Sequence, residues 1–172
     1  MRSLVVYESS FGNTKQIAEQ VAAALADEGE VELVSVDEPL APLDEVDLLV
    51  VGGPTQVHGV SSRRSRQGAL DHGAGGELGI GVRDWIDALP NGARGPRVAA
   101  FDTRFHKPAL LVGSAAGGIA RRLRQHGYAL AAEPESFFVE GTSGPLEDGE
   151  LERALEWGRT IANEVSRAAV MI

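Results

Sequence analysis

Short apolar runs that alternate with helix-patterned stretches constrain this chain most. Leu4–Tyr7, Val31–Val36, Val46–Val51 and Arg97–Phe101 each read as a buried strand. Tyr128–Ala132 and Phe137–Val139 read as a fifth, interrupted near Pro134. Short continuous apolar runs fit strands covered on both faces. Helical periodicity fills most of the gaps. A helix from about Thr14 places Ile17, Val21, Ala24 and Leu25 on one face, with Asn13 and Gln16 at capping-box spacing and Gly29 at its end. Glu77–Leu89 aligns Leu78, Val82, Trp85, Ile86 and Leu89; Gly113–Gly127 aligns Ala116, Ile119, Ala120 and Leu123; Glu150–Ala168 aligns Leu151, Leu155, Ala162 and Val165. Asp37–Glu45, with two prolines, is too short for more than a turn or two. Strands alternating with helices, joined by right-handed crossovers, predict an α/β fold with a doubly wound, five-stranded parallel sheet.

Bulk properties narrow the class. At 172 residues and 43% hydrophobic, the chain fits one domain over 1–172 with a sizeable core. No apolar run approaches the roughly 20 residues of a membrane span. Only Leu4–Tyr7 follows Arg2 before Glu8 interrupts, so no signal peptide is expected and the predicted location is cytoplasmic. The absence of cysteine excludes disulfides, thiolate metal sites and iron–sulfur clusters. His58, His72, His106 and His126 show no paired metal spacing. A net charge of −9 argues against nucleic acid as a partner. That charge is uneven: residues 61–130 carry 11 basic and 5 acidic groups, whereas the flanking segments are acidic.

In open parallel sheets, ligands bind beyond the carboxyl ends of the strands. Three segments lie there. The first, Ser9-Ser10-Phe11-Gly12-Asn13-Thr14, joins a buried strand to a helix N-terminus. Free N–H groups and a partial positive charge collect at such a terminus, and the hydroxyl and amide side chains add neutral donors. Gly12 permits close backbone approach, so the loop suits a phosphate. Capping of the helix alone is the competing explanation. The segment is neither a nucleotide-triphosphate loop nor a dinucleotide fingerprint, since both glycine patterns are missing. The second segment, Gly52-Gly53-Pro54-Thr55-Gln56-Val57-His58-Gly59, reads as an abrupt strand stop. The third, Asp102-Thr103-Arg104-Phe105-His106-Lys107-Pro108, ends the fourth strand as a loop. A long loop from Gly52 to about Gly76 contains Ser61-Ser62-Arg63-Arg64-Ser65-Arg66; its glycine content favours a flexible exposed segment over a lid or an arginine site.

With these residues in place, the sequence resembles the flavodoxin family, through the hydroxyl-rich Ser9–Thr14 loop, the Gly52–Thr55 turn and the order of elements. The resemblance implies the strand order 2-1-3-4-5 of a short-chain member. It implies FMN as cofactor, its phosphate held by Ser9, Ser10, Phe11, Gly12, Asn13 and Thr14. Pro54, Thr55, Gln56, Val57, His58 and Gly59 would flank one side of the flavin ring, and Asp102, Thr103, Arg104, Phe105 and His106 the other. His58 and Phe105 or His106 stand where family members often place tryptophan or tyrosine. The implied function is electron transfer to a redox partner protein or a small-molecule acceptor, without nucleic acid or membrane. The alternatives are an FMN-dependent NAD(P)H:quinone oxidoreductase, in which the long loop shapes a substrate site, and a flavin-free binding module. A phosphoacceptor receiver domain is disfavoured: Glu8 ends the first strand, but Gly52-Gly53 ends the third without an aspartate.

Overall fold

The computed structural model describes residues 1–39, 42–56, 59–71, 73 and 79–170, apart from the side chains at 109 and 170. Val57 and His58, expected at the flavin, and Glu77 and Leu78, expected to open a helix, lie outside the described residues. The elements are β1 (Arg2–Tyr7), α1 (Asn13–Ala26), β2 (Glu30–Ser35), β3 (Leu48–Gln56), β4 (Gly59–Val60), α2 (Arg63–Asp71), α3 (Val82–Asp87), β5 (Arg97–Phe105), α4 (Ala109–Val112), α5 (Ala115–Gln125), β6 (Glu135–Val139) and α6 (Glu150–Val170).

Five strands run parallel in the order β2-β1-β3-β5-β6, which is 2-1-3-4-5 when the parallel strands alone are numbered. The short β4 folds back antiparallel on the end of β3. The central strands feed two cores because successive side chains point to opposite faces. Leu49 and Val51 of β3 pack with Trp85, Ile86, Ile119 and Leu123 of α3 and α5. Leu48 and Val50 pack with Ile17, Val21, Leu25, Trp157 and Ile161 of α1 and α6. Apolar residues at every position therefore reflect a sheet covered on both sides. Each such side chain contributes on the order of 1.5–3 kcal/mol by burial. On the α1–α6 side, Phe101, Phe137 and Trp157 pack edge to face, their ring centroids 6.0–6.1 Å apart.

Local details depart from expectation where tertiary partners intervene. Helix α1 begins at Asn13, with Gly12 at the cap in a left-handed conformation (φ 89°) and no side-chain cap. The Asn13–Gln16 pair therefore forms no capping box; the Ser9 hydroxyl instead accepts from the Gly12 and Lys15 N–H groups at 3.1 and 3.4 Å. The helix ends at Ala26 with Asp27 as cap, before Gly29. Strand β3 does not stop at Gly52-Gly53-Pro54-Thr55 but runs through them to Gln56, paired with β5 as far as Pro54–Thr103. Pro54 is tolerated because β1 has already left the sheet after Tyr7–Gly52, so only one neighbour remains to be paired. Strand β5 likewise extends to Phe105, since β6 pairs with its far half from Phe101–Glu135 to Phe105–Val139. Asp102–Phe105 is strand, not loop. Around Leu130 only an isolated bridge to Val98 forms, and the regular ladder begins after Pro134. The expected Glu77–Leu89 and Gly113–Gly127 helices are shorter, at Val82–Asp87 and Ala115–Gln125, the latter capped by Ser114. In α6 the buried stripe is Ala154, Trp157, Ile161, Ala162 and, as expected, Val165, while Leu151 and Leu155 are half-buried.

The largest correction concerns the long loop. Residues Gly52–Gln56 belong to β3, Gly59–Val60 form a hairpin strand, and Arg63–Asp71 is a helix. Ser62 and Ser65 start that helix with reciprocal bonds: each backbone N–H donates to the other's hydroxyl, at 2.8 and 3.2 Å. This capping pair outweighs the low helix preference of the serines themselves.

Candidate functional site

A cavity of about 870 Å³ opens at the carboxyl edge of β1, β3 and β5. That volume is within the range of cofactor sites. Its floor is the Ser9–Thr14 loop, with Ser9, Ser10, Phe11, Asn13 and Thr14 all lining it. The backbone turns through Gly12, whose positive φ a β-carbon would strain. Among the described residues, the N–H groups of Ser10, Phe11, Asn13 and Thr14 find no protein acceptor, and they sit at the positive end of α1. Ser9 Oγ accepts two backbone bonds, which leaves its proton free to donate outward. The buried Thr14 hydroxyl lies 2.7 Å from that of Thr103, tying the loop to β5. Lys15 is exposed and reaches back along the helix to Glu19 at 3.9 Å, so the floor carries neutral donors rather than a cation.

The walls come from strand ends that the sheet register aligns. Pro54, Thr55 and Gln56 line one side, and Thr103, Arg104 and Phe105 the other, with Pro54 directly paired to Thr103. Gln56 Nε2 donates to Ser10 Oγ at 3.1 Å, while its Oε1 is buried without a partner. An unanswered acceptor on the wall is the kind of group a ligand N–H satisfies. Arg104 is held in place by its Nε bond to Ser136 Oγ at 3.0 Å and by stacking over Phe138 at 5.2 Å.

Three of the expected residues play other parts. Asp102 does not reach the cavity; it is fully buried beneath it. Its Oδ2 accepts from the Thr55 and Ser114 hydroxyls and the Ala116 N–H, each at 2.9 Å, fastening β3 and the start of α5 to β5. His106 stacks on Phe138 (centroids 4.0 Å apart) and meets Glu147 Oε2 at 3.0 Å, away from the cavity lining. Gly59 sits in the β3–β4 hairpin. Among the described residues, Phe11 and Phe105 are the aromatic ones that line the cavity.

The remaining wall has no counterpart in the residues singled out as ligand-binding. Ser62, just before α2, and Arg64, Ser65, Gly68 and Ala69 of α2 contribute, and the β6–α6 turn adds Gly141 and Thr142. A carboxylate holds α2 in place. Glu8 ends β1 as a buried group, its Oε2 accepting from Ser61 Oγ at 2.5 Å and from the Val82 N–H at 2.8 Å. Arg66 of α2 bridges from Ser61 Oγ (3.4 Å) to Asp84 of α3 (3.0 Å). Burial pushes the Glu8 carboxyl above its ordinary 4.5, against the lowering effect of the Ser61 and Val82 bonds and of Arg66. The arginine-rich run hinted at a polar segment; its helical geometry was hidden because its polar residues leave no apolar stripe to read.

Comparison with known proteins agrees with this architecture. Residues 4–65, which span the floor and the first wall, match the flavodoxin domain family. Over the whole fold the chain is similar to a flavodoxin from the domain Archaea, at 24% identity and TM-score 0.66, covering 96% of this chain and 99% of that one. It is similar to oxidised flavodoxin 1 from Bacillus cereus at 21% identity and TM-score 0.66, covering 95% and 98%. It is also similar to a short-chain flavodoxin associated with a bacterial microcompartment, at 16% identity and TM-score 0.64, covering 96% and 99%. No curated protein matches the chain in sequence. No helix among the described residues is long and apolar enough to cross a membrane. The chain is therefore flavodoxin-like, with the flavodoxin fold throughout and a flavodoxin-domain match over residues 4–65.

Proposed function

We propose that this chain, as a single cytoplasmic domain, binds one FMN in the cavity and carries electrons between a redox partner protein or small-molecule acceptor and another. The observation that supports this reading most is the floor: four unanswered N–H groups and the Ser9, Ser10 and Thr14 hydroxyls face one cavity at a helix N-terminus. A phosphate is the group that such a neutral, concave donor set accepts. Ser9–Thr14 would hold the FMN phosphate, Pro54–Gln56 one edge of the ring and Thr103–Phe105 the other. Gln56 Oε1 would receive a ring N–H. When bound, FMN supplies one- and two-electron redox chemistry that no side chain here has. The protein's part is binding, orientation and exclusion of water. The floor would answer the phosphate with neutral dipoles alone, whereas Arg64 and Arg104 on the walls would favour added negative charge at the ring.

Reconstitution tests this. The chain is mixed with FMN, freed of excess and examined by visible absorption and flavin fluorescence. Retained flavin with quenched fluorescence is expected, weakened about tenfold by Thr14→Val through loss of one hydrogen bond. Absence of retained flavin refutes the proposal.

A further inference from the structure

Four large hydrophobic side chains are exposed among the described residues, and three of them cluster beside the cavity mouth: Phe105 (39%), Leu110 (95%) and Leu111 (63%). Phe105 ends β5 and lines the cavity. Leu110 and Leu111 lie on the one-turn helix α4, whose Val112 lines the same cavity. Leucines this exposed cost solubility and contribute nothing to the core, so a grouping at a site entrance marks a contact surface.

The charge around this patch opposes that of the molecule. Arg63 and Arg64 of α2 and Lys107, between β5 and α4, are exposed, and no carboxylate among the described residues pairs with them. Arg2, Arg66, Arg122, Arg153 and Arg167 are matched by Asp or Glu, whereas Arg94, Arg121, Arg124 and Arg159 are, like the three cations at the mouth, exposed without an ion pair among the described residues. Glu147 is engaged by His106, the neighbour of Lys107 in the chain. Glu140, between the cavity-lining Val139 and Gly141, is an exposed acidic group beside the same cavity. A chain of net charge −9 thus presents three uncompensated cations beside its apolar entrance.

We propose that the cavity mouth is a docking surface for an acidic redox protein, with Phe105, Leu110 and Leu111 as its apolar centre and Arg63, Arg64 and Lys107 as its basic rim. The proposal rests on the electron-transfer reading above and adds the sign of the partner's surface. A small apolar centre with a charged rim matches the transient contacts of electron-transfer pairs, which bury less than about 1,200 Å². Rim charges in such pairs act on the encounter rate. An anionic lipid surface offers the same charge, but two leucines bury less apolar area than a single myristoyl chain, which alone gives only marginal membrane binding.

The test uses the FMN-loaded chain and an acidic plant-type [2Fe–2S] ferredoxin as probe, with electron exchange followed by stopped flow. Exchange is expected to slow roughly tenfold as salt is raised from low to high ionic strength, because attraction is screened. Arg63→Glu/Lys107→Glu and, separately, Leu110→Ser/Leu111→Ser are each expected to slow it about tenfold at low salt. None of these four residues lines the cavity, so flavin content remains unchanged in both variants. Exchange that speeds up with salt shows repulsion by the net charge and overturns the proposal, as does exchange that is undetectable or indifferent to both variants. Sedimentation with phosphatidylserine vesicles that depends on the same four residues also overturns it, in favour of a lipid surface. Anisotropy of a labelled oxidised ferredoxin reads docking without the flavin. Loss of flavin with retained, variant-sensitive docking refutes the cofactor reading alone.

Discussion

The two sides of the cavity are built on different principles. The floor and the β3–β5 walls are anchored in the sheet. Thr14 is buried and bonded to Thr103, and Asp102 collects three bonds beneath Thr55. The mouth, formed by α2 and α4, is exposed, basic and partly apolar, and is tied down mainly through Ser61, Arg66 and Glu8. Donors that must match a fixed anion need a rigid frame, whereas a transient contact needs accessible groups that give up little when the partner leaves. Substitutions in the frame should therefore act on stability and cofactor affinity together, and those at the mouth on neither.

The largest effect is expected in the frame, at Gly52. A β-carbon there would stand 2.0 Å from the Phe101 ring, in the middle of the sheet. Gly52→Ala should cost about 3 kcal/mol or more by overpacking, read as a lower urea midpoint with an unchanged slope. Asp102→Ala comes next. It leaves the Thr55 and Ser114 hydroxyls and the Ala116 N–H without their acceptor in a buried place, for a loss of about 2–4 kcal/mol by the same measurement. Because Thr55 loosens with it, FMN affinity should fall as well; unchanged affinity in a folded variant would separate the wall from the site.

Gly12→Val tests the floor alone. The left-handed conformation costs a β-branched residue about 1–2 kcal/mol, and the turn either strains or flips its N–H groups away. FMN should bind at least tenfold more weakly, by fluorescence titration, with a smaller change in stability. A variant that binds FMN as well as the parent chain removes the phosphate from this loop.

The smallest effect concerns the seam between the two sides. Native Glu8 titrates above its ordinary 4.5 because burial penalises the carboxylate. Between 4.5 and that raised value, the folded chain holds a proton that the unfolded chain has released. Stability should decline as pH rises through this window and level off above it. Glu8→Gln keeps an oxygen for Ser61 and the Val82 N–H and should flatten that decline in chemical denaturation at several pH values. A decline of equal slope in the variant would assign it to another group.

The legible parts of this protein were those governed by local periodicity or local chemistry. The apolar runs located all five parallel strands, because a strand covered on both faces must be apolar at successive positions. Ser9–Thr14 was readable as an anion loop since hydroxyl, amide and glycine residues sit together where a strand meets a helix. Pro54, Thr55, Gln56, Thr103, Arg104 and Phe105, which the resemblance put beside a flavin, line the cavity, and β3 and β5 run on through them as strand.

Other features required the folded chain. Phe101 was readable as core, but its demand for a glycine at position 52 arises from pairing across β3 and β5. Asp102 and His106 lie in one segment, yet the first is drawn under the site and the second onto Phe138 by partners 12 to 47 residues away. Helix α2 was masked by its polar composition; no residue in it is buried, and a helix of that kind leaves no apolar stripe to read. The sequence by itself determined the parallel strands and the donor-rich composition of the Ser9–Thr14 loop, because these follow from the period of burial and from residues adjacent in the chain, while the order of the strands came from the family resemblance. Tertiary structure alone decided which walls close the cavity, which carboxylates are buried to brace it, and which cations stand unpaired at its mouth, because those depend on partners brought together across the sheet.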